Sequence, residues 1–408
     1  RPRPRAAADA RRDPSMSTPL NIVVGGYIVG LPLAGMTWHH LHYLLGLARL
    51  GHRVTFLEDS GHFAVPYNPT TFATEPDPTY GIAYLERCFA AAGLDIPWCY
   101  VSRHTGPGEL THFGMSEQEL HAVLRSADLY IAVSGVTPWH DSRPSPRRTL
   151  GIDTDPVYTQ GKMSRDAEFD AYWRDFDKHA TFGMNLGRPD CPVPTHGLDW
   201  FPTRQPIVLD QWPVTPVPVN GGFTTVGQWD HDPDRHVEVA GERLLSSKAP
   251  GWHLLRELPE RATGTFAPAM SKMPGDVRVN FEAAGWSFGD PTPASLSLDA
   301  YGRFIQSSVA ELTPAKQIYA GSNCGWFSDR SACYLAAGRA VVTQSTGFEA
   351  HLPTGSGLFA FDDIDAAAAA VSQITRDSSA HAKSARQIAE THFDARSLLH
   401  ALLDHALA

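Results

Sequence analysis

The stretch CGWFSDRSACYLAAGRAVVTQSTGF, residues 324–348, decides the fold. It opens on a glycine turn at Gly325, then sets Ser328, Asp329 and Arg330 ahead of a run of small and apolar residues. Ala332, Tyr334, Leu335, Ala336 and Ala337 would seat a helix against a sheet, Gly338 would end it, and RAVVTQ reads as the next strand. Turn, helix, glycine and β-branched strand form one unit of a doubly wound α/β sheet. A helix start leaves backbone N–H groups unpaired and carries partial positive charge, which suits phosphate. Gly325 permits close backbone approach, Ser328 adds a hydroxyl and Arg330 a cation, so this mouth is a candidate diphosphate site. The plainer alternative has Asp329 capping the helix and Arg330 as a solvated surface charge.

Outward from this stretch, the same grammar recurs. NIVVGGYIVG (21–30) reads as a buried strand and loop, GMTWHHLHYLLGLARLG as a helix ended by Gly51, and HRVTFLED (52–59) as the next strand. TYGIAYLERCFAAAG and MSEQELHAVLRSADLYIAVSG continue it, and strands are expected in RRTLGIDTDPVYTQ and KHATFGMNLG. A proline-rich interval from Pro189 to Pro218 predicts a linker, after which GGFTTVGQW restarts the pattern. VAGERLLSSKA and LDAYGRFIQSSVAEL read as helices, as does the C-terminal tail. The expected architecture is two Rossmann-like doubly wound α/β domains facing a crevice, over 16–215 and 216–390. Residues 391–408 form a closing helix that would pack back on the first domain, and the basic stretch 1–15 reads as a disordered leader ahead of Met16.

The 408 residues exceed one ordinary core. With 42% hydrophobic and 19% charged residues the composition is that of a globular protein, and no apolar run reaches the ~20 residues of a membrane-spanning helix. A net charge of −10 argues against nucleic-acid or anionic-membrane partners while allowing a local phosphate pocket. The five cysteines, without a CxxC pair, read as reduced thiols, and with no signal peptide in 1–15 the expected location is the cytoplasm.

Other clusters carry competing readings. In WHHLH (38–42), His39 and His42 share a helical face; they are half-buried structural residues, a metal pair lacking a third ligand, or, for His39, a general base. Gly227 and Gln228 fall in the loop after the first strand of the second unit and so face the crevice. Asp230, His231 and Asp232 read as a solvated turn, because adjacent residues cannot all face one ion. Trp286 or Phe288 in GWSFGDP stacks on a nucleobase or plugs a turn, and Lys248 and Lys316 are candidate phosphate cations.

GWFSDRSACYLAAGRAVVTQSTGFEAHLPTGSGLFAF and the helical tail resemble the C-terminal half of GT-B glycosyltransferases, and PLAGMTWHHLHYLLGLARLGHRVTFLED is similar to their first loop and helix. The likeness, of family 1/4 type, runs from about Asn21 to Leu403. Two positions depart from the pattern. Ala340 stands where proline is usual, and Ser331, Ala332 and Cys333 occupy the place of a ribose-gripping glutamate, leaving Asp329 as the candidate ribose contact. The resemblance implies an enzyme (EC 2.4 type) moving sugar from a nucleoside-diphosphate sugar to a small-molecule acceptor, in keeping with secondary metabolism. It implies no metal, and no cofactor beyond the donor as co-substrate. Gly227, Gln228, Trp286, Gly325, Ser328, Asp329 and Arg330 would bind the donor. Gly35, Asp153 and Asp155 would lie on the acceptor side. His39 would be the base of an inverting enzyme; in a retaining one, Ala34-Gly35 would serve the phosphate. In the other large glycosyltransferase fold, GT-A, a D-x-D such as Asp153/Asp155 chelates a metal; here a turn is the competing reading. A nonhydrolysing nucleotide-sugar epimerase and an inactive nucleotide-sugar-binding module are the alternatives.

Overall fold

The computed structural model describes residues 18–60, 66–103, 110–137, 144–230 and 234–408. The leader expected over 1–15, together with His231 and Asp232, lies outside them.

Two sheets organise the chain. In the first, the strands run in the order Trp200–Pro202, Lys178–Thr181, Thr149–Asp153, Leu129–Val133, Asn21–Gly25, Arg53–Asp59, Trp98–Ser102 and Thr111–Phe113. All neighbours pair parallel except the last pair. In the second, Ala269–Ser271, Val226–Gln228 with its continuation Phe223–Thr224, Ala310–Thr313, Ala340–Gln344 and Leu358–Phe361 pair parallel throughout. An outer bridge from Ala269 to Gly289 extends this second sheet. Counted along the chain, the strands of the first sheet run 8-7-6-5-1-2-3-4 and those of the second 2-1-3-4-5, so in each the order reverses beside the first strand. Loops at such a switch point open a crevice beyond the carboxyl ends of the strands. Here those loops follow Gly25 and Val133 in the first sheet and Gln228 and Thr313 in the second.

The helix Ala34–Arg49 is buried on nearly every side, from Thr37 to Leu47. It lies against its own sheet, against the helix Leu298–Gln306 of the second half, and against the last helix, Ala395–Leu407. Full enclosure explains why it is apolar all round and why its three histidines are all buried. The last helix crosses back to the first half: a Cβ on Gly46 would come within 2.3 Å of Leu399, and His405 reaches the His179 carbonyl at 3.2 Å.

The proline-rich interval is pinned rather than loose. His42 stands between the N–H of Val208 (3.0 Å) and the indole N–H of Trp212 (3.2 Å). Burial above all, with His39 and Arg49 close by, pushes its pKa down to about 3. From the other side Arg339, fully buried, donates to the carbonyls of Thr215, Pro216, Gln306, Ala337 and Gly338. Arg386 donates to those of Leu209, Trp212 and Ala336.

Two local expectations are corrected. VAGERLLSSKA is not helical: His236–Val239 and Glu242–Leu245 form an antiparallel hairpin. Ala240 (φ 51°) and Gly241 (φ 84°) make the left-handed two-residue turn that joins such strands. LDAYGRFIQSSVAEL is helical only over Leu298–Gln306, and its end is the buried strand Ala310–Thr313.

Candidate active site

The helix Asp329–Ala336 starts at Ser328, whose side chain makes no cap bond to the first turn. Asp329 points across the crevice, with Oδ2 3.9 Å from Nδ1 of His39. His39 is 5% exposed and held from both sides. Gln205 donates its amide N–H groups to the carbonyls of His39 and Pro206 (both 3.1 Å), so its Oε1 faces Nδ1 of His39 at 2.5 Å. That fixes the proton on Nδ1 and leaves the Nε2 lone pair toward Ser134 Oγ, 3.1 Å away. Burial lowers the His39 pKa, with Asp329 and Gln205 opposing, so the imidazole is neutral and basic at physiological pH.

Ser134 sits on the turn after Leu129–Val133 with φ 64°, and its hydroxyl also meets Thr154 Oγ1 at 2.7 Å. Tyr27, on the loop after the first strand, hydrogen-bonds to Ser134 as well. These groups meet because the two switch-point loops of the first sheet lie side by side, with the mouth of the Asp329–Ala336 helix above them. Gln205, Ser134, Thr154 and Tyr27 were not singled out from the sequence, since no spacing links them.

The cations divide into spent and free. Arg330 turns back from the mouth, with Nε to Glu311 Oε1 at 2.6 Å and terminal nitrogens to the Val226 carbonyl (3.2 Å) and Thr313 hydroxyl (3.1 Å). Burial opposes its charge, but Glu311 more than compensates and raises its pKa overall. Arg330 is therefore neither a surface charge nor an open phosphate donor; it anchors the strand end that carries Gly227 and Gln228. Lys316 pairs with Asp155 at 3.2 Å. Among the described residues no carboxylate lies within ion-pair distance of Lys248. Burial, with Arg330 beside it, pushes its pKa down to about 7.

Other expected residues are committed elsewhere. Asp153 is 1% exposed and accepts from the Asp155 N–H, Thr159, Gln160 and Thr181, so it has nothing to offer an acceptor or a metal. Burial pushes its carboxyl up to about 6. Asp155 takes bonds from Lys316 and the Tyr319 hydroxyl. Trp286 is a core residue at 3% exposure, donating to the Arg256 carbonyl at 2.8 Å and packed among Trp252, Phe266 and Phe281. It is the plug of its turn, not a platform for a base. Gly35 faces Tyr301, whose ring would lie 3.3 Å from an added Cβ. The approach that Gly325 permits (φ 77°) is filled by Asn185, 3.0 Å from an added Cβ. No group of three or more potential metal ligands occurs among the described residues.

Between the halves lies a cavity of about 580 Å³. Gly227, Gln228, Ser271 and Lys272 line it from the second half and Tyr27, Leu31, Leu33, Tyr67 and Phe72 from the first.

No protein-family model and no curated protein matches the chain. Solved structures do. An α-glucosyltransferase in complex with UDP-glucose and DNA containing an abasic site aligns over 94% of this chain and 98% of its own, with TM-score 0.56 and 11% identity. The fold is that of the GT-B glycosyltransferases. Anabaena Alr3699/HepE, in complex with UDP and glucose, aligns over 94% and 98% with TM-score 0.54 and 11% identity. AviGT4, a glycosyltransferase involved in avilamycin A biosynthesis, aligns over 95% and 96% with TM-score 0.52 and 10% identity. At these identities the likeness is one of GT-B architecture, two halves and a crevice between them. No helix among the described residues is long and apolar enough to cross a membrane.

Proposed function

We propose that the protein is a cytoplasmic glycosyltransferase that moves a sugar from a nucleoside-diphosphate sugar to a small-molecule acceptor, without a metal ion. The observation that carries the reading is the polar junction of the crevice. A buried lysine without an ion-pair partner among the described residues, Lys248, and an uncapped helix mouth stand on the second half, with a neutral, oriented imidazole facing them from the first. Solved GT-B structures with UDP at the same architecture support a nucleotide donor. In the same reading the two domains divide near residues 215 and 216, between the last strand of the first sheet, Trp200–Pro202, and the first of the second, Phe223–Thr224.

In this reading the diphosphate lies by the Asp329–Ala336 mouth, with Lys248 as its cation and Gly227–Gln228, held by Arg330, beside it. Helix dipole and ammonium stabilise the departing nucleoside diphosphate. The acceptor oxygen bonds to the anomeric carbon as the bond from that carbon to the diphosphate oxygen breaks. The acceptor proton passes to His39 Nε2, where the Ser134 hydroxyl now stands. The imidazolium that forms is stabilised by Gln205 Oε1 and by Asp329 at 3.9 Å. This assigns His39 to an inverting transfer. One neighbour is solved with DNA, but a net charge of −10 and a cavity of about 580 Å³ favour a small acceptor here.

A thermal-shift titration with UDP and UDP-glucose, alongside the other nucleoside diphosphates, tests the reading. A ligand at ~100 times its dissociation constant adds about 2.7 kcal/mol of stability, a clear rise in melting temperature. A chain that none of these nucleotides moves is not a nucleotide-sugar enzyme.

A further inference from the structure

The first-half wall of the cavity is a built surface. Glu58, buried on the second strand, accepts the N–H groups of Ile28, Val29 and Gly30 at 2.6, 2.7 and 2.7 Å, fixing the loop that displays Tyr27, Leu31 and Leu33. The carbonyl of Gly30 then receives the N–H of Tyr67 at 3.0 Å, which fastens the small hairpin of Tyr67–Asn68 with Ala73–Thr74 to the same loop. The tip of that hairpin carries Phe72, 66% exposed and at φ 58°. A left-handed backbone at a bulky aromatic residue is strained, and an exposed phenyl ring contributes nothing to the core. Such strain at the rim of a cavity is a mark of function.

The chemistry of the lining narrows the occupant. Among the described residues that line the cavity there is no acidic side chain, and Lys272 is the one basic residue. A sugar acceptor would call for several carboxylate or amide partners, and a nucleic acid for several cations. On the first-half wall three aromatic rings, Tyr27, Tyr67 and Phe72, with two leucines and Pro69, instead suit a flat, apolar molecule. Tyr27 links this wall to Ser134 and so to His39. We infer that the platform of Tyr27, Leu31, Leu33, Tyr67 and Phe72 binds a flat, largely apolar ring compound bearing a hydroxyl group, which it presents toward Ser134 and His39 as the acceptor. This rests on the glycosyltransferase reading for the word acceptor, but the binding site stands on the cavity alone.

The test is a fluorescence titration of the full chain with 2-naphthol, a planar bicyclic phenol, without nucleotide. Saturable binding at one site is expected, with a dissociation constant of about 0.1–1 mM for a ligand of this size. Phe72→Ser, on an exposed side chain, should weaken it about tenfold. Val219→Ser, at a 97% exposed apolar residue far along the chain, should leave it unchanged. Absence of saturable binding, or equal affinity in wild type and Phe72→Ser, overturns the inference. So does a short DNA duplex that displaces the phenol, or a Phe72-dependent dimer in sedimentation, since each names a different occupant. A parallel UDP titration separates the two failures. Binding of the phenol without UDP sinks the donor reading, and binding of UDP without the phenol sinks only the apolar platform.

Discussion

The two flanks of the crevice are built in opposite ways. On one, the halves are welded. The hairpin His236–Leu245 of the second half lays Val237 against Gly161 and Arg235 over the Tyr158 ring, 3.6 Å from its centroid. Val157, Cys191 and Val193 share one apolar cluster with Val239, Leu244 and Ile318. Asp155 pairs with Lys316, and Trp326 donates to the Thr154 carbonyl at 3.2 Å while stacking on Tyr319. On the other flank the loop 26–33 and the hairpin 67–74 look across open space toward Gln228, Ser271 and Lys272. Prising the welded side apart would expose its apolar cluster to water, so ligands enter from the open side, where only loops need to shift. The polar junction of His39, Ser134 and Asp329 lies where the two flanks meet.

The contrast is sharpened most by His39→Asn, whose amide N–H can still donate to Gln205 while the Nε2 base is gone. Transfer rate should fall about 10²–10⁴-fold, the usual worth of a positioned base, with donor affinity and melting temperature nearly unchanged. Near-normal turnover would remove His39 as the base and move the weight to a retaining transfer.

A smaller effect is expected from Lys248→Met: affinity for UDP lower by about 1.5–3 kcal/mol, affinity for uridine nearly intact. Equal weakening of both ligands would put Lys248 away from the diphosphate. The same residue sets a pH dependence. Its folded-state pKa, about 7 against the usual 10.5 of a lysine, leaves much of it uncharged in the free protein above pH 7, so UDP binding must take up a proton there. Affinity should drop by up to about tenfold per pH unit as pH rises above 7, and calorimetry in buffers of different ionisation enthalpy should register the uptake. The free protein behaves oppositely: its depressed lysine pKa means that stability from this group rises between about pH 7 and 10.5, where the unfolded chain holds more protons. Lys248→Met should abolish both trends.

Gly161→Ala attacks the welded flank. The added Cβ would sit 2.2 Å from Val237, and such overpacking costs about 1–3 kcal/mol in chemical denaturation. Binding of 2-naphthol, on the opposite flank, should stay within about twofold; a larger change would mean that the flanks are coupled. The smallest effect is the one expected of EDTA, which should leave turnover where it was. Loss restored by magnesium or manganese would contradict the lysine-and-helix account.

The fold was legible because its signals are local. Small residues behind a polar mouth, a glycine before RAVVTQ, and NIVVG running into an apolar helix each declare a unit of parallel sheet within a few residues. The hairpin at 236–245 was misread because the Ala240-Gly241 turn is marked by a left-handed alanine, which residue preferences disfavour. The site was legible only in part, because its determinants are distant partners. Arg330 has the spacing of a phosphate ligand, yet Glu311, 19 residues upstream, claims it. Asp153 looks like half of a metal pair until Thr159, Gln160 and Thr181 surround it. His39 is a candidate from its place after the first strand, while Gln205, 166 residues away, fixes its tautomer and leaves no trace in the pattern.

Arg339 fastens the joint between the halves with carbonyl oxygens, and no carboxylate lies within ion-pair distance among the described residues. Carbonyl dipoles do not titrate, and a cage with no exposed countercharge has little for dissolved ions to screen. In acid, as carboxylates elsewhere become protonated, this clasp keeps its donors and acceptors. The segment that Arg339 holds at Thr215 and Pro216 should therefore outlast the ion pairs around it, and its protease resistance should be nearly independent of ionic strength.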